Sequence, residues 1–61
     1  MFTITLRDYL KALEAAIEDR CLIKTESKDF DIVYQVCSEV SRYEYIARKG
    51  EGESALYYGS Y

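Results

Sequence analysis

The chain has no histidine, and among its 61 residues there are only two cysteines and three glycines, with neither a long apolar run nor a dense basic cluster. The missing histidine removes the commonest general base, and Cys21 and Cys37 alone are too few for a tetrahedral zinc site. No metal, cofactor or enzymatic activity is therefore expected. Two cysteines can make at most one bridge, whereas small secreted scaffolds carry four or more, so both are expected as reduced thiols. No stretch approaches the roughly 18 apolar residues of a membrane span. The opening "MFTITLRDYL" lacks the basic-then-apolar order of a leader, which predicts a cytoplasmic protein without a membrane partner. Basic residues adjoin only at Arg48 and Lys49, which disfavours direct nucleic-acid binding, since that normally needs a basic patch or stripe. No glycine precedes Gly50, and "KGEGES" puts acids where a phosphate would sit.

What is present argues for a folded chain. Hydrophobic residues make up 49% and aromatics 15%, enough apolar surface to offset ordering entropy in one domain spanning residues 1–61. At this length the core must be thin. The formal charge of -3 is uneven: Asp8 to Glu39 holds eight acids against four bases, and Val40 onward three of each.

Thr5 followed by Asp8 reads as a variant capping box, with Ile4 and Tyr9 as a hydrophobic staple, and predicts a helix over residues 6–20. Leu6, Leu10, Leu13 and Ile17 form one apolar stripe with Ala12 and Ala16 beside it, opposite Arg7, Lys11, Glu14 and Glu18. Short polar residues mark a connection at Thr25–Asp29, preceded by a short extended piece at Leu22–Lys24.

Residues 30–49 admit two readings. As a helix, ended by Gly50, they would complete a two-helix hairpin. As strands, a turn at Ser38–Ser41 sets Val36 opposite Tyr43, Tyr34 opposite Tyr45 and Ile32 opposite Ala47. A loop at Gly50–Glu53 sets Ile46 opposite Tyr57, Tyr45 opposite Tyr58 and Ala47 opposite Leu56. One register then gives one inner face, of Ile32, Tyr34, Val36, Tyr43, Tyr45, Ala47, Leu56 and Tyr58. The β-branched and aromatic content favours strands. The expected fold is thus α+β, an N-terminal helix packed on a three-stranded antiparallel sheet in the order α-β-β-β.

Two candidate partner-binding surfaces follow. The register lines up Val33, Ile46 and Tyr57 as an apolar row on the outer face, which suits a protein partner or a second copy in a homodimer. The acids Glu14, Glu18, Asp19, Glu26, Asp29 and Asp31 place repeated negative charge near one end of the domain.

"ITLRDY" at Ile4–Tyr9 resembles the start of the first helix in small Cro-type phage repressors, which implies a DNA-binding regulator. The basic recognition helix of that family has no counterpart in the acidic "EAAIEDRCLIK". In size and in the acids from Glu14 to Asp31, the chain is similar to small phage or mobile-element inhibitors of the anti-CRISPR and anti-restriction kind. That likeness implies a non-enzymatic protein that blocks a nucleic-acid-binding host or defence complex by acidic DNA mimicry, with a self-associating structural or adaptor domain as the alternative.

Overall fold

Thr5 caps the helix as its position suggests, its Oγ1 accepting from the Asp8 amide at 3.1 Å. The computed structural model describes residues 1–37, 39 and 41–61. Among them the elements are β1 (Phe2–Ile4), α1 (Leu6–Glu18), β2 (Ile23–Thr25), β3 (Ile32–Gln35), β4 (Tyr45–Lys49), a 3-10 turn at Gly52–Ser54, and β5 (Leu56–Ser60). The strands form one antiparallel sheet of five in the order β1-β5-β4-β3-β2. The three-stranded α-β-β-β arrangement is thereby corrected, and the two-helix hairpin is ruled out because residues 32–35 and 45–49 pair as strands. The two further strands lie at the sheet edges. β1 precedes the helix cap, and β2 is the short extended piece shifted by one residue.

The helix stops two residues short of the expected Arg20, without glycine. Arg20 takes a left-handed φ of 55°, and the Cys21 and Arg20 amides donate back to the Ala16 and Ile17 carbonyls at 2.9 and 3.2 Å. This is the Schellman pattern with arginine in the usual glycine position. The turn delivers Cys21 to Cys37, and the two form a disulfide with Cα atoms 5.7 Å apart. The expectation of two reduced thiols is corrected accordingly.

Register is the main departure. β3 and β4 pair Ile32 with Arg48, Val33 with Ala47, Tyr34 with Ile46 and Gln35 with Tyr45, one residue away from the expected alignment. The connection is wider than Ser38–Ser41, part of which lies outside the described residues. The Val36 amide donates to the Glu44 carbonyl at 2.9 Å, and the Ser41 hydroxyl ties the segment by donating to the Tyr43 carbonyl at 2.7 Å. Because side chains alternate across a strand, an odd slip inverts a face. Ile46 and Tyr57 turn toward α1, while Tyr45, Ala47, Leu56 and Tyr58 turn away.

Between β4 and β5 the slip is two residues. Ile46 faces Gly59, Ala47 faces Tyr58 and Lys49 faces Leu56, because the loop runs through the 3-10 turn rather than closing at Glu53. An even slip keeps the faces but changes the partners. Gly50, at φ +89°, supplies the backbone angle that begins this turn.

The core joins Tyr9, Ala12 and Ala16 of α1 to Val36, Tyr43 and Ile46, with Ile46 wholly buried. Gly59 is required where it stands. A Cβ there would lie 2.7 and 2.9 Å from the Tyr43 ring and 3.2 Å from Ile4, so the ring would have to leave its packed position. Gly59→Ala is expected to lower stability by about 1–3 kcal/mol, the usual cost of overpacking. Urea unfolding followed by circular dichroism checks it, and an unchanged midpoint would show that Tyr43 does not pack there.

Candidate protein-binding site

The side of α1 that meets the sheet is Tyr9–Ala12–Ala16, spaced i, i+3, i+7 as a buried helix face requires. It is not the leucine stripe. Leu6, Leu10 and Ile17 are 48, 44 and 57% exposed, with half-buried Leu13 between them. The alanines allow close approach, and the Tyr9 ring tilts against that of Tyr57 at 4.8 Å between centroids. Successive turns of α1 therefore present large aliphatic side chains along one flank without cover.

The surroundings of that flank follow from topology. α1 packs on β4 and β5. Its Asp8–Lys11 side borders Ser41, Arg42 and Tyr43, and Tyr43 in turn lies over Gly59 and beside Phe2, toward β5 and β1. On its other side the first turn of α1 borders the β1–β5 side and the β4–β5 loop, Leu6 lining a hollow with Thr3, Ile4, Ala55, Leu56 and Tyr57. Away from β5, the helix-side face of the sheet continues as Arg48, Ile32, Tyr34 and Lys24, aligned by the pairs Ile32–Arg48 and Lys24–Tyr34. Ile32, Tyr34 and Arg48 are half-buried and Lys24 is exposed. This part of the sheet thus forms a mixed apolar and basic floor.

Arg48 is the unusual member of the floor. Its Nε is buried and has no hydrogen-bond partner, a condition that costs free energy in a folded protein. Burial pushes the neighbouring Tyr9 phenol above its ordinary range, Tyr34 adds to the shift, Arg48 opposes it, and Tyr57 adds again. The guanidinium therefore sits near the Tyr9 phenol, whose raised pKa keeps it protonated and without a counter-charge to offer.

On the opposite face of the sheet, Val33 and Ala47 are buried although no helix covers them. Phe30 and Tyr58 meet edge to face at 5.2 Å, so aromatic rings stand in for a second layer there. Leu56 and Ile23 are exposed near opposite edges of that face.

The expected row is therefore dispersed. Ile46 is wholly buried, Val33 is buried on the far face, and Tyr57 packs on Tyr9 beneath the helix. The acidic set is also divided between two ends of the domain. Glu18 and Asp19 lie beside the Cys21–Cys37 end of the sheet, with Glu14 one turn earlier on the helix. Glu26, Asp29 and Asp31 lie at the Gly50 end, where the Gly50 amide donates to Asp31 Oδ2 at 2.6 Å. Glu51 and Glu53, which the sequence pattern did not single out, join them in the β4–β5 loop.

No family model matches this chain, and neither the curated proteins nor the solved structures contain a significant match. The described residues contain one α-helix, so the pair needed for a Cro-type DNA reader is not formed. No helix is long and apolar enough to cross a membrane among the described residues.

Tyr43 resembles Tyr9 in titration. Burial raises its phenol first, then Asp8 and Tyr61, with Arg42 pulling the other way. Both phenols ionise above the ordinary 10.0 in the native state, whereas in the unfolded chain they ionise near it. As pH rises through that value the unfolded state loses protons first, so the stability present at lower pH is progressively lost. The urea midpoint is expected to fall above about pH 10, and less steeply in Tyr43→Phe and Tyr9→Phe. Equal pH slopes in all three proteins would remove the assignment.

Proposed function

We propose that this chain is a non-enzymatic binding protein that holds another protein through the exposed flank of α1. The observation that carries this reading is the unpartnered run of Leu6, Leu10 and Ile17, each close to half exposed. Monomeric proteins rarely leave contiguous aliphatic surface of this kind unless something covers it. Exposed Glu14 and Glu18 lie along the outer border of the same stretch of helix, which supports a partner with basic residues. A nucleic-acid-binding complex of a host or its defences is the partner class that fits both this border and the anti-CRISPR-like resemblance.

Mimicry of a whole duplex draws less support than a local contact. The acids form two separate groups, and Asp31 is engaged by the Gly50 amide. Inhibition would then come from covering a basic site.

The test is capture from nuclease-treated lysate of the source cells on the immobilised chain. A nucleic-acid-binding protein that added DNA or RNA displaces is the expected catch. Leu10→Asp and Ile17→Asp should abolish capture, because each puts a charge on surface that must become dry. Glu14→Lys with Glu18→Lys should weaken it several-fold and reduce its sensitivity to salt. Capture that survives Leu10→Asp would sink the proposal.

A further inference from the structure

The sheet ends at β1 on one side and at β2 on the other, and a strand at an edge leaves a row of amide and carbonyl groups without partners. The two edges differ in what guards them. β2 carries exposed Lys24 at its centre, with Arg20, Glu26 and Lys28 close by in sequence, and such charge keeps a strand from pairing with another chain. β1 has no such guard. No side chain from Met1 to Leu6 is charged, and none is proline. Met1, Phe2 and Leu6 are 53, 39 and 48% exposed, and Tyr61, whose ring lies 5.0 Å from that of Phe2 between centroids, is 82% exposed. The unguarded edge is therefore also where exposed apolar side chains gather.

From this we infer that β1 receives the β1 strand of a second copy of this chain, the two running antiparallel about a two-fold axis at Thr3 and joining two sheets into one of ten strands. The register argues for this occupant. Phe2 and Ile4 lie on the helix side, where Phe2 meets the Tyr43 ring and Ile4 approaches Gly59 beneath it, while Thr3 is aligned with Tyr58 on the other side. With Thr3 opposite Thr3 of the second copy, Phe2 stands opposite Ile4 on the helix side and threonine meets threonine on the far side. Aromatic with β-branched and threonine with threonine are both favourable cross-strand pairs. Met1 comes opposite Thr5, whose backbone is still extended, and next to exposed Leu6. The same operation on β2 would set Lys24 against Lys24, a like-charge pair that opposes association. A two-fold contact uses both β1 edges and leaves only the lysine-guarded β2 edges, so growth stops at the dimer. Leu10 and Ile17 take no part, and the inference goes beyond the reading of the α1 flank without resting on it.

The experiment uses the full chain with two variants at Thr3, whose side chain is exposed and so tolerates either charge. Sedimentation equilibrium reads mass against concentration for the unaltered chain, Thr3→Lys, Thr3→Glu and an equal mixture of the two variants. Circular dichroism checks that each is folded. Amide hydrogen exchange locates the contact on the unaltered chain at low and high concentration.

The unaltered chain is expected to pass from monomer to dimer, with exchange at Phe2–Ile4 slowing as it does. Thr3→Lys and Thr3→Glu each put like charges across the axis and should weaken the dimer about fivefold, whereas their mixture should restore it through a lysine–glutamate pair. Should a variant fail to fold, the concentration-dependent exchange of the unaltered chain still decides. A monomer at every concentration up to about 1 mM would overturn the inference. So would a dimer that the single variants leave intact, one that the mixture does not restore, one with unchanged exchange at Phe2–Ile4, or growth past two copies. Leu10→Asp should leave the dimer in place while abolishing lysate capture, so this inference and the proposed function can fail separately.

Discussion

Tyr9, Ala12 and Ala16 press α1 onto Ile46 and Tyr57, and that contact sets both what the core contains and what the surface offers. Had the leucine stripe faced inward, the helix would have stood farther from the sheet and hidden its aliphatic side chains. The small alanines instead draw the backbone close, and the tyrosine ring fills the space left beside them. Leu10 and Ile17 are about half exposed, so burying the remainder would gain about 1 kcal/mol each on transfer grounds. A chain this short that forgoes such a gain leaves its most hydrophobic helix flank free for another molecule.

The same contact explains why the elements are legible in the sequence and their alignment is not. Thr5 and Asp8 announced the helix, and the alternation from Ile32 to Val36 announced a strand, because caps and pleats are local properties. The leucine stripe suggested the wrong buried face, since periodicity locates an apolar flank without saying which of two adjacent flanks meets the sheet. Tyr9 carries a polar tip and two of its companions are only alanines, so the true face was the less hydrophobic one. The helix end at Arg20 gave no signal either, because the residue in the left-handed position is not glycine.

Register failed for a related reason. Tyr43, Tyr45, Ile46 and Ala47 are all apolar, so either face of β4 could plausibly point inward. The decision lies in the width of the connection from Cys37 to Tyr43 and in the need for Gly59 to lie beneath the Tyr43 ring, which are tertiary facts. The expected contact row was lost with that single slip, whereas Glu14 and Glu18 kept their exposure because a helix surface does not depend on strand register. The candidate site was legible only as a list of leucines, and its exposure was not.

Arg48 is a costly residue of the fold. In an isolated domain an arginine at this position has little to recommend it. It faces the helix between Ile32 and Tyr57, its Nε is unpaired, and a leucine there would bury area without the cost of desolvating a charge. That cost is carried by the folded chain itself, since the Nε is enclosed and no docked molecule reaches it. Aliphatic surface alone would bind many amphipathic helices. The exposed carboxylates of Glu14 and Glu18 along the border of the leucine flank would restrict the set to partners with matching basic residues, so the site would draw its affinity from Leu6, Leu10 and Ile17 and its selectivity from Glu14 and Glu18.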